Sequence, residues 1–91
     1  MMKLLFFDMN TIRDREALHD ALHAKLELPA CYGRNLDALY DLLSEGSVSA
    51  MLVFENCSRA DEGMNEYLEK LREIGERLSR EGQPAELRIF P

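Results

Sequence analysis

The sequence predicts an α/β domain on a parallel sheet. Three observations predict it: strands alternate with helices, the links between strands are long and helical, and one strand is apolar without a break. Links of that length imply right-handed crossovers and parallel pairing. Ninety-one residues suit one domain with a single core, and no repeat, low-complexity tract or linker divides residues 1–91.

The first strand runs from Lys3 to Met9, where Leu and Phe follow one another too briefly for a helix and Asn10 supplies a turn. Its unbroken apolar character predicts burial on both faces. Asp14 then caps a helix whose Ala17, Leu18, Ala21, Leu22 and Leu26 fall at helical spacing, with Glu16 in the first turn. That helix is expected to stop at Leu28-Pro29, because a residue before proline avoids the helical region.

After the loop Pro29 to Arg34, Asn35 caps a second, shorter helix with an apolar stripe of Leu36, Leu39, Leu42 and Leu43, ended by Ser44-Glu45-Gly46-Ser47. Ala50 to Glu55 is the clearest strand, and its Met51-Leu52-Val53-Phe54 run suits the middle of a parallel sheet. The longest helix lies within Asp61 to Arg80, with Met64, Tyr67, Leu68, Leu71, Ile74 and Leu78 on one face. On its other face Glu66 with Lys70, Glu73 with Arg77, and Glu76 with Arg80 stand at i,i+4 in the favourable orientation. Gly82 and Pro84 end the helix, and Glu86 to Phe90 alternate as a last strand with one buried face.

Seventeen Asp and Glu against eleven Lys and Arg leave a formal charge of −6. Such a surface repels phosphate backbones and attracts basic proteins, so nucleic acid is not an expected partner. The apolar run before Asp8 falls short of the roughly 7 to 15 residues of a signal peptide's apolar core, and no stretch approaches the ~20 of a membrane span. The expected compartment is therefore the cytoplasm, with no membrane partner. Cys31 and Cys57 would stay reduced there, and their spacing supports neither a disulfide framework nor a zinc site.

The second helix carries the candidate chemistry. Asp37, Tyr40 and Asp41 stand at i, i+3 and i+4, on one face opposite the leucine stripe. Two carboxylates one turn apart repel, and a cationic ligand would reverse that cost. Tyr40 adds an amphipathic ring of the kind enriched at protein interfaces. The alternative is an ordinary solvated face with Arg34 folded back onto Asp37.

The block Leu28-Pro29-Ala30-Cys31-Tyr32-Gly33-Arg34-Asn35-Leu36-Asp37-Ala38-Leu39-Tyr40-Asp41-Leu42-Leu43 resembles the barstar family signature. The shared features are a Leu-Pro, a Tyr-Gly, and Asn-Leu-Asp-Ala-Leu followed by an aromatic residue and Asp. The resemblance implies a three-stranded parallel sheet packed with three to four helices. It also implies an inhibitor, without cofactor or metal, of a basic extracellular guanyl-preferring ribonuclease. Asp41 resembles the family's central anion, which stands where a substrate phosphate would bind, and Asp37 the carboxylate that flanks it. Tyr40 occupies a position where the best-known member has Trp. Gly33 and Asn35 correspond to the turn and cap that present the helix, and Glu66 to a further acidic contact. The partner-facing set so implied is Cys31, Tyr32, Gly33, Arg34, Asn35, Asp37, Ala38, Tyr40, Asp41, Ser44 and Glu66. Two positions depart from the pattern: Cys31 replaces a common Tyr, and Arg34 stands where an acidic or neutral residue would better suit a basic partner.

Two rivals differ in kind. A small metal-dependent enzyme would use His19 and His23, at i,i+4 with Asp20 and Glu27 nearby, but no His-Glu-x-x-His pattern or third ligand accompanies them. They read as two solvent-facing histidines. Cys31 as a nucleophile would need a positioned base, and Asp37 with Asp41 would leave most of a Mg²⁺ shell to water. The other rival is a non-inhibitory module that binds another basic protein with the same acidic face. The oligomeric state expected for the inhibitor is a monomer.

Overall fold

A computed structural model describes residues 2–91 and realises the expected alternation. Its elements are β1 (Lys3–Asp8), α1 (Arg15–Leu26), α2 (Leu36–Ser44), β2 (Ala50–Glu55), α3 (Glu62–Arg80) and β3 (Ala85–Ile89). A one-turn 3-10 segment, Cys57–Arg59, leads into α3, and nothing in the sequence pattern marks it. The sheet is parallel in the order β1-β2-β3, with Lys3 opposite Ala50 and Ala50 opposite Ala85. The apolar run of β2 thus lies at the centre, hydrogen-bonded on both sides.

Each helix begins where a side chain takes over an orphan backbone amide. Asp14 accepts from the Ala17 amide at 2.7 Å, Asn35 from Ala38 at 2.8 Å and Asp61 from Met64 at 2.9 Å. Helix α1 ends at Leu26, before Leu28-Pro29, because Glu27 turns left-handed (φ 52°) and the Leu28 amide closes on the His23 carbonyl. Along α3 all six residues of the expected stripe are buried.

The buried apolar residues of the helices form one cluster with Phe7, Ala50, Leu52, Phe54, Ala85 and Leu87, which share one face of the sheet. The opposite face is open. Leu4 and Phe6 are 60% and 50% exposed, which overturns the expectation that β1 is buried on both faces. The physical reason is topological: the helices cover one side, and β1 is an edge strand. Val53, on the open face, is buried without joining the core cluster.

Three ion pairs form among the described residues: Arg34 with Asp20, Arg72 with Glu69 and Arg88 with Glu86. None of the expected i,i+4 pairs of α3 is among them. Arg77 instead lies over the Tyr40 ring, 4.1 Å from its centroid.

At Gly75 α3 packs tightly on β3, since a Cβ added there would lie 3.0 Å from the Leu87 Cβ. Gly75→Val is expected to push α3 off the sheet at a cost of about 1 to 3 kcal/mol, read as a lower urea midpoint. A midpoint equal to the parent's would show that the contact yields without cost.

Candidate functional site

The loop between α1 and α2 and the exposed face of α2 form one surface. Pro29 opens a turn closed by the Tyr32 amide on its carbonyl at 3.0 Å. At Gly33 the backbone approaches α2 so closely that an added Cβ would lie 3.2 Å from the Ala38 Cβ. Arg34 then adopts φ 56°, an unusual conformation for a side-chain-bearing residue. Asn35 fixes the exit by donating to the Gly33 carbonyl at 3.2 Å while capping α2.

Helix α2 holds this surface in place through Leu36, Leu39 and Leu43, all buried. Its other face presents Asp37 and Asp41, both exposed, one turn apart, and neither belongs to an ion pair among the described residues. Ala38, Tyr40 and Ser44 are half-buried, and the Ser44 hydroxyl donates to the Asp41 carbonyl at 3.0 Å. Tyr40 is more than a flat interface ring. Its hydroxyl donates to the Glu81 carboxylate at 2.5–2.6 Å, just past the end of α3, and that bond holds the phenol above its usual value.

Arg34 does not fold back on Asp37. It pairs with Asp20 on α1 and reaches the Glu16 carbonyl at 3.4 Å, so Arg34 does not pair with Asp37 or Asp41. Beside Asp37 lies a shallow cleft of about 370 Å³ lined by Arg15, Arg34, Tyr67 and Lys70, so the surface is acidic on α2 and mixed at its edge. Cys31, Gly33 and Glu66 are exposed. Glu66 lies on α3, one residue from Tyr67, which lines that cleft.

Tyr32 is 7% exposed and belongs to the core. Its hydroxyl stands 2.6 Å from His19 Nδ1, and the Tyr67 hydroxyl stands 2.5 Å from His19 Nε2. His19 is 1% exposed, which corrects the expectation of a solvent-facing histidine. His23 is half-buried, and its ring stacks on Tyr32 at 6.3 Å. A signal for His19 was present, since His19, Leu22 and Leu26 stand at i, i+3 and i+7 along the apolar arc of α1. Burial holds the His19 ring below the usual imidazole value; Arg34 adds to this and Asp20 opposes it.

No group of three or more His, Cys, Asp or Glu side chains suited to a metal ion occurs among the described residues. Among the described residues, no helix is long and apolar enough to cross a membrane.

Residues 2–90 match the sequence pattern of a family described as Barstar (barnase inhibitor). The chain is also similar to a protein of Bacillus subtilis (strain 168) named "Putative ribonuclease inhibitor YrdF". The two are 34% identical over 74 residues, which are 80% of this chain and 81% of that protein.

Proposed function

The chain belongs to the barstar family, and from that premise we propose that it inhibits a ribonuclease by seating the exposed face of α2 and the preceding loop in the enzyme's active site. The partner is a basic, extracellular, guanyl-preferring ribonuclease of the barnase kind, and the inhibitor protects the cytoplasm that makes it, as a monomer. One observation carries the reading. Asp37 and Asp41 project from a helix locked into the core on its other side, and no cation among the described residues pairs with them.

A ribonuclease gathers cations where it holds the scissile phosphate. An inhibitor helix that brings two carboxylates there substitutes for the phosphate charge and forms charge-assisted hydrogen bonds in a site from which water has been expelled. Asp41 is the central anion and Asp37 its flank. Cys31, Gly33, Arg34, Asn35, Ala38, Tyr40, Ser44 and Glu66 complete the contact surface, while Tyr32 supports it from inside. The inhibitor transforms no substrate.

The test is titration of purified chain against purified secreted ribonucleases, with barnase first. Activity should fall linearly to zero at one equivalent. Undiminished nuclease activity across the panel, or turnover of RNA by the chain alone, would overturn the reading.

Association should also be steered. A chain of charge −6 meets a basic enzyme through a field that salt screens, with a Debye length of ~10 Å at 0.1 M. The association rate measured by stopped flow is expected to fall as salt rises while dissociation changes less. A flat association rate would remove long-range attraction from the account.

A further inference from the structure

His19 lies on α1, buried, and both of its ring nitrogens are engaged: Nδ1 by Tyr32 at 2.6 Å and Nε2 by Tyr67 at 2.5 Å. Tyr32 belongs to the loop that leads into α2, whereas Tyr67 belongs to α3. One side chain therefore joins three parts of the molecule that no continuous secondary structure connects. We propose that His19 is a positioning residue for recognition: it clasps the 29–35 loop to α1 and α3 and so sets the approach of that loop, and the start of α2, to the ribonuclease. This rests on the reading that the loop and α2 meet the enzyme.

The hydrogen-bond inventory shows why a histidine does this. In either neutral tautomer one ring nitrogen accepts and the other donates, so the ring takes the proton of one phenol and gives its own to the oxygen of the other. No buried side-chain nitrogen or oxygen is left without a partner among the described residues. Leucine would fill the space and leave the Tyr32 hydroxyl buried and unpaired. The loop has few other ties. Its turn is held by the Tyr32 amide on Pro29 and its exit by Asn35 on Gly33, both within the loop, and Arg34 reaches α1 from an exposed position.

A proton on the ring would convert the accepting nitrogen to a donor, so that neither phenol could donate to it. The surrounding charges do not welcome that proton. Arg34 faces the ring from the loop, Asp20 from its own helix partly offsets it, and Glu16 acts on Arg34. His23 stacks on Tyr32, Arg15 lies 4.6 Å from the Tyr67 ring centroid, and Asp37 and Lys70 line the adjoining cleft. The unfolded ring titrates near ~6.5 and the folded ring lower. The clasp therefore holds fully above ~6.5 and loses its contribution as pH falls from there toward the folded value.

The experiment is amide hydrogen exchange of the free chain, read by NMR at residues 30–35 from pH 7.5 to 5 and corrected for intrinsic rates. In the parent, exchange of these amides relative to β2 should rise as pH falls through the histidine range. His19→Leu should exchange about three- to tenfold faster than the parent at the loop at pH 7.5, the scale of one lost hydrogen bond, and the difference should narrow as pH falls. His19→Gln, which keeps a donor and an acceptor, should recover most of the protection and flatten the pH profile. Tyr32→Phe removes a single oxygen and serves if His19→Leu fails to fold; it should loosen the loop while β2 stays protected. Loop exchange equal to the parent's in Tyr32→Phe, or a pH profile that survives in His19→Gln, overturns the clasp. These readings need no ribonuclease, so they stand apart from the outcome of the inhibition assay. Where a ribonuclease is inhibited, Tyr32→Phe should also dissociate from it about three- to tenfold faster. Unchanged dissociation overturns the role in recognition.

Discussion

Asp41→Ala is expected to weaken the ribonuclease complex by about 2 to 5 kcal/mol, a scale that measurements on the barnase–barstar pair itself helped to set. The loss is large because removing one carboxylate leaves the enzyme's cations buried without a counter-charge, and it should appear as faster dissociation. The free inhibitor should be no less stable. Asp41 is exposed and in no ion pair among the described residues, and its removal relieves repulsion from Asp37 one turn away. Alanine also has the higher helix propensity. Asp37→Ala should cost less if that carboxylate lies nearer the rim. Glu69→Ala, an exposed position on α3 paired with Arg72 at 3.5 Å, should change binding by less than about 1 kcal/mol. The measurements are dissociation rate and urea midpoint for each variant. Parent-like binding by Asp41→Ala, or a much lower midpoint, would make the α2 face structural.

Phe54→Ala is expected to remove about 3 to 5 kcal/mol of folding stability. Phe54 is fully buried on the central strand, and its ring stacks on Phe7 with centroids 4.8 Å apart and planes at 17°. Truncation removes the apolar area, the aromatic pair and the support beneath Phe7, leaving a cavity that a three-stranded sheet has little freedom to close. Set against a typical total of about 5 to 15 kcal/mol, the variant should be near its unfolding threshold at room temperature. The control is Phe6→Ala, the same truncation on the open face, where the ring is already 50% exposed. Equilibrium denaturation of both reads the difference. Equal losses would mean that the open face is packed in solution, and a concentration-dependent midpoint would then identify a second copy as the cover.

Much of this fold was legible because its helices announce themselves twice, by caps and by stripes. Asp14 and Asn35, read as caps, each start a helix, and Leu18, Leu22, Leu36, Leu39, Leu43 and all six stripe positions of α3 are buried, while Ala17, Ala21, Leu26 and Leu42 are half-buried. The β1 strand was misread because an unbroken run, Leu4-Leu5-Phe6-Phe7, carries no alternation to show which face meets the helices. Strand order was not legible at all, since alternation fixes parallel pairing without fixing neighbours.

For the site, the face shared by Asp37 and Asp41 followed from helical arithmetic. What surrounds it did not. The alternative of a solvated face laid Arg34 on Asp37, but Arg34, with its left-handed backbone, pairs with Asp20 on α1. The Tyr40 hydroxyl finds Glu81 far along the chain, and His19 meets Tyr67 on another helix. Such contacts depend on how helices lie against one another, which periodicity within one helix cannot report.

The strand order also has a consequence in time. Neither pair of adjacent strands is a hairpin: Lys3 meets Ala50, and Ala50 meets Ala85. A collapsing chain therefore cannot zip its sheet from a turn outward. Helices α1 and α2 can flicker into place locally, but β1 has no hydrogen-bonding partner until the chain has closed a loop that contains them both, and β3 has none until α3 is spanned. The chain pays that closure entropy before any sheet contact repays it, which places it among the slower-folding mixed α/β domains. Until β2 docks between its neighbours, the apolar residues of β1 and β2 stay open to other chains. Rapid collapse should thus precede a slower, cooperative step in which the central strand organises both edges together.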